Sequence, residues 1–342
     1  MLPRLTSLRG FAALAVFAYH SQLYGFASPD SPAALGFAGV GFFFILSGLV
    51  LTYAMSEPLA TRSFLERRVV RFLPSHLMVL AIAVFISVPG AKGIPALFAS
   101  ALLLQAWSHD PSIVWSYNAV AWSLSCEAMF YLAFPFVVAR LQRLRQARRR
   151  QLAVGAFAVS GALIFASEWL PAAFQQWAYS NPAVRFHEFL IGIVIGLALR
   201  EGWRPTLTAR AAAAIMVALA TLAWLYLRAD WPMAETFPNV ILTLGYVAVL
   251  LAAVRADLAG RLGWLAHPVL MYAGTVSFAF YLVHELVLVN LQRHTSLSGG
   301  TGAAAAFALA VGFAVVLHHA LEEPVQQLFK RRRALARAPG AA

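Results

Sequence analysis

Charge is what this chain has least of. Only 12% of its 342 residues are Asp, Glu, Lys or Arg, while 61% are hydrophobic; an ordinary soluble domain carries about 25% charged residues. A chain of that composition cannot cover itself with polar surface, and its apolar runs make it an all-α polytopic membrane protein. Cysteine is nearly absent: Cys126 stands alone, which excludes an intramolecular disulfide and any cysteine-based metal cluster. Acidic residues number 14 against 26 basic ones. No acidic metal-binding motif stands in a loop, as a polyprenyl-phosphate sugar transferase would require. Long hydrophilic stretches are missing too, so no soluble domain interrupts the apolar segments, and no internal repeat is visible.

What is there is a series of apolar runs of spanning or near-spanning length. They fall near residues 8–26, 36–55, 74–90, 118–139, 152–169, 184–200, 211–227, 237–254, 268–291 and 303–321, ten helices in all. An eleventh stretch, Ile94 to Trp107, is short. If it crossed, the arginines between Arg140 and Arg150 would face away from Arg62, Arg67, Arg68 and Arg71. Read as re-entrant or interfacial, with the N-terminus inside, it leaves 22 of the 26 basic residues in the cytoplasm and only Lys92, Arg185, Arg228 and Arg293 outside. That is the partition the positive-inside rule asks for. Both termini are then cytoplasmic, with a transmembrane unit over residues 1–323 and a basic tail over 324–342. The net charge of +12 is mostly topology, the Arg-rich loop after Arg140 contacts solvent and lipid headgroups, and with no nucleic-acid motif no such partner is expected. Residues 1–27 also have the outline of a signal peptide. His20 late in the apolar core, and the lack of a small-x-small site before Ser28, favour a first helix.

Two ionisable residues, Arg9 and His20, stand inside that first helix, eleven positions apart. At about 100° and ~1.5 Å per residue they share one stripe to within roughly 20° and lie on the order of 16 Å apart along the axis. Ionisable groups in a membrane segment are costly, so the pair is a functional candidate facing the protein interior. The plainer alternative is a snorkelling Arg9 and an interfacial His20.

Other candidates cluster at helix ends. Arg68 and Arg71 share a face if their stretch is helical, with Pro74 as a first-turn residue of the next helix; two guanidiniums there suit a phosphate or anchor the chain at acidic lipid. Trp122 to Glu127 reads TrpSerLeuSerCysGlu. Glu127 sits about a turn inside an apolar run, where a carboxylate needs a partner or a proton, and pairing with His20 is geometrically open. Arg185 and Glu188 are spaced to pair. Ser277, Tyr281 and His284 follow one helix face and suggest the wall of a wet cavity. His318, His319, Glu322 and Glu323 have the composition of a metal site, but adjacent rings diverge by about 100° and no His-x3-His spacing accompanies them, so no metal is expected.

Taken in order, these residues resemble the membrane-bound acyltransferase 3 family, over nearly the whole chain. Arg9 and His20 match its Arg-x10-His pattern, and Phe43, Phe44, Ser47 and Gly48 its Phe-Phe-x-x-Ser-Gly run. Arg68, Arg71 and Pro74 match Arg-x-x-Arg-x-x-Pro, and Trp122, Ser123, Leu124 and Glu127 match Trp-Ser-Leu-x-x-Glu. Arg185, Glu188, Phe189 and Gly192 resemble the entry of its sixth helix; Ser277, Tyr281, Leu282 and His284 fit Ser-x-x-x-Tyr-Leu-x-His, and Glu322 with Pro324 the terminal Glu-x-Pro. Phe278 and Ala279 depart from the usual tyrosine and small polar residue. Many relatives carry an added extracytoplasmic hydrolase-like domain; here any step it performs is expected to be absent or done by another protein, for instance one of polysaccharide assembly.

The resemblance implies an integral O-acyltransferase of a bacterial-type cytoplasmic (inner) membrane. It would move an acyl group, acetyl above all, from cytoplasmic acyl-CoA to a hydroxyl of a cell-surface or exported glycan, or of a small molecule such as a macrolide. His20 is then a general base or a transient acyl carrier, and Arg68 and Arg71 hold coenzyme phosphates. Arg9 either joins them or orients the thioester carbonyl, Glu127 polarises His20 or steers the acceptor, and Trp122, Ser277, Tyr281 and His284 line the substrate cavity. The competing class is a proton-coupled transporter with a His and Glu relay, which has no need of the Arg68 and Arg71 fork.

Overall fold

The computed structural model describes residues 2–57, 59–86, 93–229, 236–260 and 263–335, and every regular element among them is helical. In chain order these are α1 (Pro3–Leu23), α2 (Gly39–Tyr53), α3 (Thr61–Phe85), α4 (Gly93–Ala101), α5 (Pro111–Val114), α6 (Trp122–Gln142) and α7 (Gln146–Ser167). There follow α8 (Ala172–Ser180), α9 (Pro182–Arg200), α10 (Ala209–Arg228), α11 (Phe237–Leu258), α12 (Pro268–His294), α13 (Gly299–Leu317) and α14 (Glu323–Leu335). Nine segments of the described residues are long and apolar enough to cross a membrane. The 21 residues of α1 also have crossing length; Arg4, Arg9 and His20 make it more polar, and α2 and α12 flank it. Large apolar side chains such as Phe85 and Phe136 point outward, 89% and 74% exposed. Bilayer hydrocarbon is the solvent that suits them.

Small residues let the central helices approach, because lipid supplies no hydrophobic push between helices and close van der Waals contact must do the work. The tightest crossing is α2 on α9. A Cβ on Gly48 would lie 2.2 Å from the Phe189 carbonyl oxygen, and one on Gly192 2.1 Å from that of Ile45. Gly192→Ala is therefore expected to push the two backbones apart at a cost of about 1–3 kcal/mol, read as a lower melting temperature of the purified protein; an unchanged melting curve would contradict this crossing. A matching stripe of Gly302, Ala306, Ala310 and Ala314 faces inward on α13, which packs on α12.

Two expectations change. Pro74 does not open a helix: α3 runs unbroken from Thr61 to Phe85 with Pro74 inside it. The proline removes one backbone hydrogen bond, a loss that membrane helices tolerate, and Arg68 and Arg71 consequently ride on the same rigid rod as the apolar segment behind them. Arg149, in the Arg-rich loop, is not a solvated headgroup contact. It is 5% exposed, donates to the carbonyls of Leu141 and Gln142 and pairs with Glu201, clamping the turn between α6 and α7 to the end of α9. The start of the proposed tail is helical, α14 packing on α3, while residues 336–342 lie outside the described residues. The short stretch from Ile94 holds only the nine residues of α4 and a 3-10 turn over Gln105–Trp107, too short to cross. It returns to the bundle, where Leu103 accepts from Ser125 Oγ at 2.6 Å and Gln105 donates to the Ala121 carbonyl at 2.9 Å.

Candidate active site

α1, α2, α6 and α12 surround two cavities, one toward the Arg9 end of the bundle and one toward the His20 end. The helical stripe predicted for Arg9 and His20 does face the interior, and it serves both hollows rather than one. Val40 and Tyr281 line the two cavities alike and so form the wall between them. Tyr281 is held there: its hydroxyl donates to the Val120 carbonyl at 3.0 Å and lies 2.9 Å from Ser123 Oγ.

The cavity at the arginine end measures about 150 Å³ and gathers Arg9, Arg68, Arg71, Glu127 and Tyr131, with Ser47 and Ser277 on its wall. Glu127 lines it together with all three guanidiniums and Tyr131, and the Tyr131 hydroxyl lies 3.3 Å from Ser47 Oγ. One carboxylate among three guanidiniums leaves the hollow net positive. Arg68 Nε is buried with no hydrogen-bond partner among the described residues, a donor whose desolvation only an acceptor would offset. A further cavity of about 390 Å³ adjoins it between α3 and α14, sharing Arg68 and Arg71.

The cavity at the histidine end is larger, about 740 Å³, and rich in aromatic rings: Tyr19, Tyr24, Trp115, Trp122 and Tyr179 stand around His20. Its carboxylate is Glu285. Tyr24 donates to one oxygen at 2.8 Å and the Val120 amide to the other at 3.1 Å. Glu127 belongs to the opposite cavity, so the pairing of Glu127 with His20 is replaced: the partner of His20 is His284, whose Nε2 lies 3.1 Å from His20 Nδ1.

Tautomers follow from geometry. His284 Nδ1 lies 2.7 Å from the Tyr281 carbonyl and His20 Nδ1 2.9 Å from that of Val16. Carbonyls only accept, so each neutral ring carries its proton on Nδ1. His284 Nε2 is then an acceptor for His20 Nδ1–H, and the lone pair of His20 is on Nε2, on a ring that lines the cavity. That is the arrangement a general base needs: one ring nitrogen anchored and the other open. His284 itself is fully buried behind His20 and does not line the cavity.

Beneath the aromatic wall, Arg185 and Glu188 form the expected pair, bidentate at 2.8 and 2.9 Å and without exposure. Asn239 accepts from the same guanidinium at 3.3 Å. Arg185 also donates to the Tyr179 carbonyl at 3.1 Å and lies 5.5 Å from the centre of the Trp122 ring, so this ion pair positions two walls of the cavity. The polar group at the end of α13 turns inward on itself: His318 and His319 lie 2.7 and 3.0 Å from carboxylate oxygens of Glu322 and Glu323. Ligating atoms of His318, His319 and Glu323 fall within 4.8 Å of one another, so the two adjacent rings, expected to diverge, converge at this turn.

Residues 2–319 match the acyltransferase domain of the acyltransferase 3 family. The chain belongs to that family. The acyltransferase is 32% identical to acyltransferase MdmB of Streptomyces mycarofaciens, covering 99% of this chain and 95% of that protein. It is also similar to two longer proteins at 26% identity: YrhL of Bacillus subtilis, over 57% of this chain and 33% of YrhL, and O-acetyltransferase OatA of Staphylococcus aureus, over 40% of this chain and 24% of OatA. No solved structure matches it. Membership makes the protein an enzyme that transfers acyl groups, which sets aside the proton-coupled carrier.

Several cavity residues of the acyltransferase escaped sequence reasoning. Tyr131 lies four positions after Glu127, and helix spacing alone would have put them together. Glu285 follows His284 directly. Tyr179 had no signal: it sits on α8, a nine-residue helix in what reads as a loop.

Proposed function

We propose that the acyltransferase takes an acyl group, acetyl above all, from acyl-CoA at the arginine end and delivers it to a hydroxyl of a cell-surface or exported glycan held at the histidine end. The arginine end then faces the cytoplasm, with both termini there, and the histidine end opens to the outer side of a bacterial-type inner membrane. The observation that carries this reading is the pair of cavities separated by Tyr281 and Val40, one net positive and one holding an open imidazole nitrogen.

Each end has the chemistry its substrate needs. Arg68 and Arg71 hold phosphates and Arg9, deepest of the three, orients the thioester carbonyl. At the wall, His20 Nε2 takes the proton of the acceptor hydroxyl as the oxygen attacks that carbonyl. The tetrahedral intermediate collapses by breaking the carbon–sulfur bond, and the coenzyme thiolate leaves, to be protonated from the histidine. His284 holds the His20 ring in register, Tyr24 and the Val120 amide fix Glu285 beside it, and the aromatic walls offer faces to a sugar ring. A small-molecule hydroxyl acceptor is the second reading, supported by a cavity volume of about 740 Å³, within the range of small-ligand sites.

The test supplies labelled acetyl-CoA to the arginine side of oriented vesicles containing the purified protein. Label is expected in a glycan hydroxyl supplied on the opposite side, and not when donor and acceptor sides are exchanged. Hydrolysis of acetyl-CoA with no labelled acceptor, whatever hydroxyl compound is added, would contradict the transfer reading.

A further inference from the structure

The hollow between α3 and α14 holds more positive charge than two phosphate-binding arginines explain. Five cations line it, Arg67, Arg68, Arg71, Lys330 and Arg333, and no carboxylate is among its described lining residues. Like charges gathered round one hollow repel each other, and a multiply charged anion is the partner that relieves them. The far wall is built, not incidental. Arg333 donates to Ser63 Oγ at 2.6 Å, tying α14 to α3, and its guanidinium carbon lies 5.6 Å from the centre of the Phe329 ring. Lys330 is three positions before Arg333 on the same helix, hence on the same face.

The geometry sorts these cations into two sets. Arg68 and Arg71 line both the hollow and the inner cavity that ends at Tyr281, whereas Lys330 and Arg333 line the hollow alone. An acyl-CoA carries its phosphates in two groups as well: a diphosphate between the pantetheine arm and the nucleotide, and a 3′-phosphate on the ribose, at the end remote from sulfur. With the thioester at the inner cavity, the diphosphate falls to Arg68 and Arg71. Resting on the donor reading above, we infer that Lys330 and Arg333, with Arg67 beside them, form the subsite for the ribose 3′-phosphate of the donor, so that the C-terminal helix is part of the coenzyme site. A phospholipid headgroup offers the same phosphate chemistry, and the experiment must separate the two.

Equilibrium binding of acetyl-CoA and of acetyl-dephospho-CoA, which lacks only the 3′-phosphate, is measured on purified protein in phosphatidylcholine nanodiscs. The wild type is expected to prefer acetyl-CoA by about tenfold, the loss of one or two charge-assisted contacts. Lys330→Glu and the double variant Lys330→Ala/Arg333→Ala are expected to erase that preference by weakening acetyl-CoA alone, whereas Arg71→Ala weakens both ligands. Because Arg333 also docks α14, Lys330→Glu is the variant that separates phosphate binding from helix docking, with melting temperature as the check on folding. Folded variants that keep the full preference overturn the subsite. A wild type without preference, which retains added phosphatidylglycerol more strongly than Lys330→Glu does, assigns the hollow to a headgroup and overturns it too. Failure of the wild type to bind either nucleotide is a different result: it removes the donor reading and the subsite with it.

Discussion

Replacing His20 with alanine or glutamine is expected to abolish acyl transfer while the purified protein still binds its donor. His20 and the three arginines line different cavities, so the substitution leaves the arginines untouched. General-base assistance is typically worth about 10² to 10⁴ in rate. Glutamine keeps a polar group but cannot accept the proton, so it should be nearly as inactive as alanine. If His20→Gln kept more than about half of wild-type turnover, His20 would be a structural polar residue packed on His284, and the two-cavity mechanism would be lost. Melting temperatures of both variants should stay near wild type, because His20 is only partly buried and its loss leaves His284 bonded to the Tyr281 carbonyl.

Replacing Arg71 with alanine is expected to act on the other substrate. Hydrogen bonds to charged groups are worth about 1.5–3 kcal/mol, so donor binding should fall by roughly ten- to a hundredfold, with fold and membrane level unchanged. Arg71→Lys should recover only part of the loss, since a point charge cannot reproduce a planar fork. The substitution also leaves Glu127 with two guanidiniums instead of three. Unchanged acyl-CoA binding in the alanine variant would return Arg71 to the role of a membrane anchor.

Periodic and compositional signals read well in this chain. The Arg9 and His20 stripe, the Arg68 and Arg71 face, the Arg185 and Glu188 pair and the polar face through Ser277, Tyr281 and His284 are all relations within one helix. A fixed angular step per residue makes such relations computable from spacing alone. The same arithmetic would have joined Glu127 to Tyr131. It misleads at Pro74, which does not end its helix, and at His318 and His319, whose π-helical turn departs from the 100° step.

Relations between helices were not legible. Glu127 and His20 both read as buried polar groups, yet they belong to opposite cavities, and the partners His20 receives are His284 on α12 and, nearby, Glu285. Which helix lies beside which depends on where two backbones can approach, and that was decided by Gly48 against Gly192, by Gly274 under the Thr6 carbonyl and by the Arg4 to Asp257 bridge from α1 to α11. The sequence by itself therefore determined a helical membrane protein of the acyltransferase 3 family, the ionisable residues each helix carries and the face they point from. Only the tertiary structure decided how those faces are shared out: three arginines with Glu127 in one hollow, His20 with His284 and Glu285 in the other, Tyr281 between them, and a basic terminal helix folded back against α3. Within a helix, position is geometry; between helices it is packing, and packing is set by all the contacting side chains at once.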